Sequence, residues 1–446
     1  MNPWLAIASV LGALAALALG LWLWQRRRNP HPELLRKLFH VGAGGITLSF
    51  PWLFDSAWPV LLLGLLAIAG LAAAKLFARR GQGPGTVLHG VARDSLGEMY
   101  FPAAVAGLFV LAGEEPLLYV VPLLVLTLAD AVAALVGVRY GRARYSTSEG
   151  EKSVEGSIAF LMVAFLSVHI PLLLFSELGR LETLLIAVVI GLLVMLLEAA
   201  AWRGMDNLFI PLGSYLLLQT YWEAGATDLA LLLLVTAALV GFTWWWRTRT
   251  TLNDSTALAA ALIGYLIWAI GGWTWLIPPL IVFVGYVWLS PRTEANSASV
   301  HGLRALLSVA APGLLWLTIA AQTARPELIY PYTLAFAAQL AIIGVARLRH
   351  QYPERSPQQV WAGSAFKAWI FLLLPFAALG LLEIVGPTAD YLLAAQVLLG
   401  GTTTLLAAVA FSRLQPGLDD CPTDTPRWLR QAGIAAAASS LGLMVS

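Results

Sequence analysis

One cysteine in 446 residues, Cys421, excludes an intramolecular disulfide and any cysteine-ligated zinc cluster. Charge is scarce as well. Only 12% of the residues are Asp, Glu, Lys or Arg, whereas a soluble domain carries roughly 25%. The net charge of +2 says little by itself, and nucleic acid is not expected as a partner. The phosphate-binding loop GxxxxGK[ST] is absent, and so is the protein-kinase motif set. What the chain has in quantity is apolar sequence, at 59%. Runs at 4–24, 59–74, 182–200, 228–246 and 389–411 approach or reach the length that crosses a bilayer, about 20 residues. The pattern predicts an all-α, polytopic transmembrane helical bundle.

The first run is too long for a signal peptide, and its positive flank lies on the wrong side, so it reads as a retained span. Counting apolar segments predicts 14–16 spans. With the N-terminus outside, 25 of the 27 Lys and Arg residues fall on the cytoplasmic side, and only Arg180 and Arg325 do not. Cationic loops stay in the cytoplasm, so this distribution orients the chain. A multi-pass protein of a bacterial plasma membrane is expected, in contact with membrane lipids. The sequence leaves its oligomeric state open.

Against that apolar background Asp130 stands out, inside the run "LADAVAALVG". It lies nine residues from the cytoplasmic end of its span, or roughly 13 Å along a helix. A carboxylate there costs roughly 2.5–3.5 kcal/mol, so it is expected to face a partner or a wet cavity. Ala134, Gly137 and Gly141 follow on its face, and small residues admit a close neighbour. Arg36, Lys37 and His40 open the second span. Arg93, Ser95, Gly97 and Glu98 precede the fourth, and Arg139, Lys152, Ser153, Glu155 and Gly156 lie near the loop before the sixth. Glu198 ends the seventh, and Asp206 and Asn207 open an interrupted segment.

Each of these groups has a plain reading alone. Asp130 can make an interhelical hydrogen bond. Arg36 and Lys37 can fix topology or touch headgroups, His40 can be a packing residue, and Asp206 can be a helix cap. The orientation, however, gathers them at one membrane face. Carboxylates hold Mg²⁺, cations neutralise phosphate, and glycines and helix N-termini offer N–H groups to anions. A carboxylate can also take the proton of an attacking hydroxyl. These features by themselves imply a membrane enzyme or transporter that handles a phosphate at the cytoplasmic face.

Five segments go further: "RKLFHVGAGG", "SLGEMYFP", "LADAVAALVGVRYG", "EKSVEGSIAF" and "DNLFIPLG". Together, over about the first 220 residues, they resemble the polyprenol kinase family of phytol, dolichol and CTP-dependent diacylglycerol kinases. The "SLGEMYFP" and "DNLFIPL" forms lie nearest the phytol branch. The resemblance implies transfer of the γ-phosphate of CTP, or of another nucleoside triphosphate, to an isoprenoid alcohol such as phytol or geranylgeraniol. It implies catalytic roles for Asp130, Lys152, Glu155 and Glu98, and Mg²⁺ on Asp130, Glu98 and Asp206. It places Arg36, Lys37, His40, Gly137, Arg139, Gly141, Ser153, Gly156 and Asn207 around the nucleotide and its phosphates. Which carboxylate is base and which is metal ligand stays open. The alternatives are another CTP-using lipid enzyme, of diacylglycerol kinase or phosphatidate cytidylyltransferase type, or an ion-coupled transporter.

The expected domains are a first span with its basic linker (1–30), a kinase-like membrane domain (31–250) and a second membrane domain (251–446). The second begins "RTRTTLNDSTALAAALIGYLIWAIGG" and more weakly resembles the membrane family of phytyl-phosphate kinase. It also echoes the first. Shifted by 207 residues, 137–157 lies on 344–364 with six identities, Gly137/Gly344 among them. Ala337, Gln359 and Ala362 then stand opposite Asp130, Lys152 and Glu155. This degenerate repeat is expected to lack a chemistry of its own.

Overall fold

Prolines and capping side chains set where the first helices begin. Asn2 caps α1 (Pro3–Arg28) by accepting from the Trp4 N–H at 3.0 Å, with Pro3 at the first helical position. Three arginines, 26–28, close its last turn, where cations meet the negative end of the helix dipole. His31 and Pro32 repeat the device for α2 (Pro32–Thr47). The computed structural model describes residues 2–78, 97–147, 150–202, 204–288, 301–373, 375–376, 390–418 and 423–445. Arg93, Ser95 and Cys421 lie outside them.

The chain divides into two compact units, Met1–Ala238 and Leu239–Ser446. In the first, α3 (Phe50–Leu53) and α4 (Ala57–Ala78) follow α2, and then α5 (Gly97–Ala112) and α6 (Pro116–Tyr140). A hairpin of β1 (Arg144–Thr147) and β2 (Gly150–Ser153) leads into α7 (Val154–Phe175), α8 (Arg180–Ala200) and α9 (Asp206–Tyr221). Helix α10 (Ala226–Trp246) carries the chain into the second unit. Helix α8 packs on α7 and α9, and α5 packs on α4 and α9. Ile186, Val189, Ile190, Leu193 and Val194 of α8 are fully buried and make it the centre of this unit.

The second unit holds α11 (Asp254–Gly271), α12 (Trp273–Trp288), α13 (Leu303–Thr323), α14 (Ile329–Gln351), α15 (Pro357–Ala368), α16 (Asp390–Leu414) and α17 (Thr425–Ser439). Helix α14 is its axis, buried at nearly every position from Ile329 to Ala346. It packs against α13, α15, α16 and α17.

Among the described residues nine helices are long and apolar enough to cross a membrane. Shorter apolar helices at Ala57–Ala73, Gly97–Ala112 and Trp273–Tyr286 account for further expected spans. The protein is an all-α, multi-pass integral membrane protein, and the hairpin is the one sheet among the described residues.

Candidate active site

Helix α6 is not regular. Five residues, Val125–Ala129, form a π turn that ends at Asp130. A π turn loosens the helical ladder and is frequent at functional sites. Two groups of α2 reach this stretch. His40 Nε2 sits 3.2 Å from the Leu126 carbonyl oxygen and 3.8 Å from Asp130 Oδ2. Lys37 Nζ donates to Asp130 Oδ2 at 2.6 Å, and its side chain is only 5% exposed. Asp130 therefore has the partner that a carboxylate inside an apolar helix demands. Phe101 of α5 lies edge-on to the His40 ring, 5.0 Å between centroids.

A second ion pair forms nearby. Lys152, at the end of β2, donates to Glu198 Oε1 at 2.7 Å and to the Glu198 carbonyl oxygen at 2.5 Å. Burial works against the charge of Lys152, but the adjacent Glu198 carboxylate outweighs it and holds the ammonium above its ordinary pKa. The hairpin register, Tyr145 opposite Lys152, fixes where that lysine emerges.

Both pairs line one cavity of about 960 Å³ within the first unit. Its charged end carries Lys37, Glu98, Asp130, Lys152, Glu198 and Asp206. Its other end is apolar, with Phe50, Val60 and Leu63 in its wall. Arg36 and Asn207 also line it. Arg36 is bound to Glu33 at 2.6 Å. Asn207 donates its side-chain N–H to the Gly97 carbonyl at 2.9 Å and its backbone N–H to Asp206 Oδ1 at 3.0 Å. The bond to Gly97 ties the start of α9 to the start of α5.

Three expected site residues are not brought to the cavity. Arg139 is exposed and lies by the Tyr140 ring. Glu155 accepts from the Ala143 N–H at 3.1 Å, closing the loop behind the hairpin. Gly141 packs against Ser153, where an added Cβ would come within 2.7 Å of its Cβ. Gly137 and Gly156 do line the cavity, but their smallness also serves packing. Cβ atoms there would stand 3.0 Å from Ser153 Oγ and, for Gly156, 3.0 Å from the Ala133 carbonyl oxygen as well. Ser153 caps α7 by accepting from the Gly156 N–H at 3.1 Å.

The expected metal set of Asp130, Glu98 and Asp206 is not gathered into one cluster. Among the described residues no three His, Cys, Asp or Glu side chains stand close enough to hold an ion. A Mg²⁺ that arrives with a triphosphate takes only one or two protein carboxylates, and Asp130 and Asp206 both face the cavity. The donor set fits that kind of site. Sequence reasoning noticed Glu198 without giving it a role. It missed Arg144, Thr147 and Glu151 of the hairpin, which also line the cavity.

No family model matches the chain, and no solved structure does. Among curated proteins, a phytol kinase from Synechocystis sp. is 32% identical over 218 residues, spanning 48% of this chain and 90% of the relative. The chain belongs to the polyprenol kinase family. Polyprenol kinases are lipid kinases, phosphotransferases with an alcohol as acceptor. The resemblance carried by the five motifs is borne out at this level.

Proposed function

We propose that the protein phosphorylates an isoprenoid alcohol, phytol or geranylgeraniol being the expected examples, with CTP or another nucleoside triphosphate and Mg²⁺, at the cytoplasmic face of the membrane. One observation carries this reading. A single cavity joins a charged end with two lysines and four carboxylates to an apolar end between membrane helices. A prenol has those two ends, a hydroxyl and a hydrocarbon tail, and the Synechocystis relative is named a phytol kinase.

The chain's own residues divide the work. The alcohol lies with its tail along α2, α4 and α5 and its hydroxyl beside Asp130. Lys37 holds the Asp130 carboxylate in place. Lys152 and Arg36 face the phosphates, where cations offset the charge that spreads over the transferring group. Bound Mg²⁺ would supply charge neutralisation at the phosphate oxygens, with Asp130 and Asp206 as its protein ligands. The hydroxyl oxygen bonds to the γ-phosphorus, the bond from that phosphorus to the bridging oxygen breaks, and a nucleoside diphosphate leaves. The hydroxyl proton passes to a carboxylate of the charged end.

The test uses purified protein in detergent with Mg²⁺, labelled CTP or ATP, and a panel of prenols and diacylglycerol. A labelled prenyl monophosphate, formed preferentially from CTP, is expected. Label on diacylglycerol alone, or on no lipid, overturns the reading.

A further inference from the structure

The apolar end of the cavity has a definite depth. Helix α2 lines it along one stripe, with Lys37 and His40 at the charged end, Ala43 and Thr47 deeper, and Phe50 just beyond the helix. Thirteen positions separate Lys37 from Phe50, or about 20 Å along a helix. Two other helices contribute lining residues of their own. Helix α5 contributes Glu98, Phe101, Pro102 and Val105, but Leu108, one turn deeper, is fully buried in packing and does not line the cavity. Helix α4 runs the opposite way, from Leu71 toward the charged end to Val60 at the deep end.

The closing residues are held firmly. Phe50 is 3% exposed, and its ring stands edge-on to Phe54, 5.3 Å between centroids. The Thr47 carbonyl accepts from the buried Tyr119 hydroxyl at 2.9 Å, which pins the end of α2. A ring fixed in this way does not swing aside for a longer tail, because packed interiors yield little.

We infer that Phe50, with Val60, is the floor of the acceptor channel and sets the longest alcohol the enzyme accepts. The inference rests on the proposed prenol kinase reading and adds to it a substrate class: single-chain alcohols of a few isoprene units, with long polyprenols rejected. A tail longer than the channel cannot lie wholly inside it with its hydroxyl beside Asp130.

The test compares kcat/KM for farnesol, geranylgeraniol and solanesol, prenols of increasing length, using the full chain in detergent. The parent protein is expected to favour geranylgeraniol over solanesol by tenfold or more. Phe50→Ala should raise solanesol use relative to geranylgeraniol at least tenfold. Ala43→Phe, which builds a new floor about 9 Å from Lys37 along α2, should shift preference to farnesol. If Phe50→Ala does not fold, Ala43→Phe and Val105→Phe decide the question, both being expected to shorten the preferred chain. Equal use of solanesol and geranylgeraniol by the parent, or unchanged length preference in the folded variants, overturns the floor while leaving the kinase reading intact. Failure of the parent to phosphorylate any prenol overturns both.

Discussion

Lys37 and Lys152 each meet a carboxylate inside the cavity, Asp130 at 2.6 Å and Glu198 at 2.7 Å. Removing one partner of a buried pair leaves the other charge uncompensated. Lys152→Ala is therefore expected to raise the KM for the nucleoside triphosphate tenfold or more while changing the prenol KM little, as steady-state kinetics in both substrates would show. Glu155→Gln should lower kcat less than threefold, because its carboxylate braces the Ala143 loop away from the cavity. A large kcat loss there, with normal folding, would return Glu155 to the chemistry. Asp130 was legible in the sequence because a carboxylate in an apolar run is costly. Lys37 was an expected site residue too, but its pairing with Asp130 was not legible, since 93 residues separate them. His301 carries a pH prediction. Burial first, and then Arg427 and Arg347, lower its pKa from the usual 6.5 to about 4. Below pH 6.5 the unfolded chain gains a proton that the folded chain refuses, so this contribution to stability is present above 6.5 and lost as pH falls toward 4. Its size is of order 3 kcal/mol. Thermal midpoints in detergent should fall less steeply over that window in His301→Gln than in the parent.

At the scale of elements, the seam between α6 and α7 decides where Asp130 and Lys152 stand. Gly137 and Gly156 let the helices approach, and the hairpin turns the chain within that narrow space. At Gly156 an added methyl meets the Ala133 carbonyl and Ser153 Oγ, both at 3.0 Å. Overpacking of this kind costs about 1–3 kcal/mol. Gly156→Ala should thus lower the thermal midpoint and the activity together. Gly107→Ala in α5, where nothing lies within 4 Å of the added methyl, should leave both unchanged or slightly raise stability. Equal effects in the two variants would remove the seam's special role. The small-residue stripe after Asp130 pointed to close approach, and hydropathy located the long spans. The hairpin was hidden, because "RYSTSEGEKS" lacks the apolar alternation of a half-buried strand. The π turn was hidden too, since "VLTLA" is ordinary helix sequence and only its tertiary partners on α2 reveal the irregularity.

For the whole molecule, the open question is whether the second unit performs chemistry. The residues facing Asp130, Lys152 and Glu155 in the shifted comparison have other occupations. Ala337 is fully buried in the axis helix α14. Gln359 completes a capping box with Ser356 at the start of α15, a purely structural use of the position. Ala362 is exposed. A tight glycine contact recurs beside them, though through a different serine: a Cβ on Gly344 would stand 3.0 Å from Ser364, the counterpart of Ser157, whereas one on Gly137 meets Ser153, whose counterpart is Val360. A close helix approach is kept where no charged pair accompanies it. We propose that residues from about 250 onward form a structural or lipid-contacting domain and that all phosphoryl transfer depends on Asp130. The measurement is made on the full chain carrying Asp130→Asn, a change that keeps size and hydrogen bonding. Product analysis should find no prenyl monophosphate from a prenol and no diphosphate from a supplied prenyl monophosphate, each at least a hundredfold below the parent's prenol kinase rate. Conversion of the monophosphate to diphosphate by this variant would instead make the second unit a kinase in its own right, working without an equivalent of Asp130, Lys152 or Glu155.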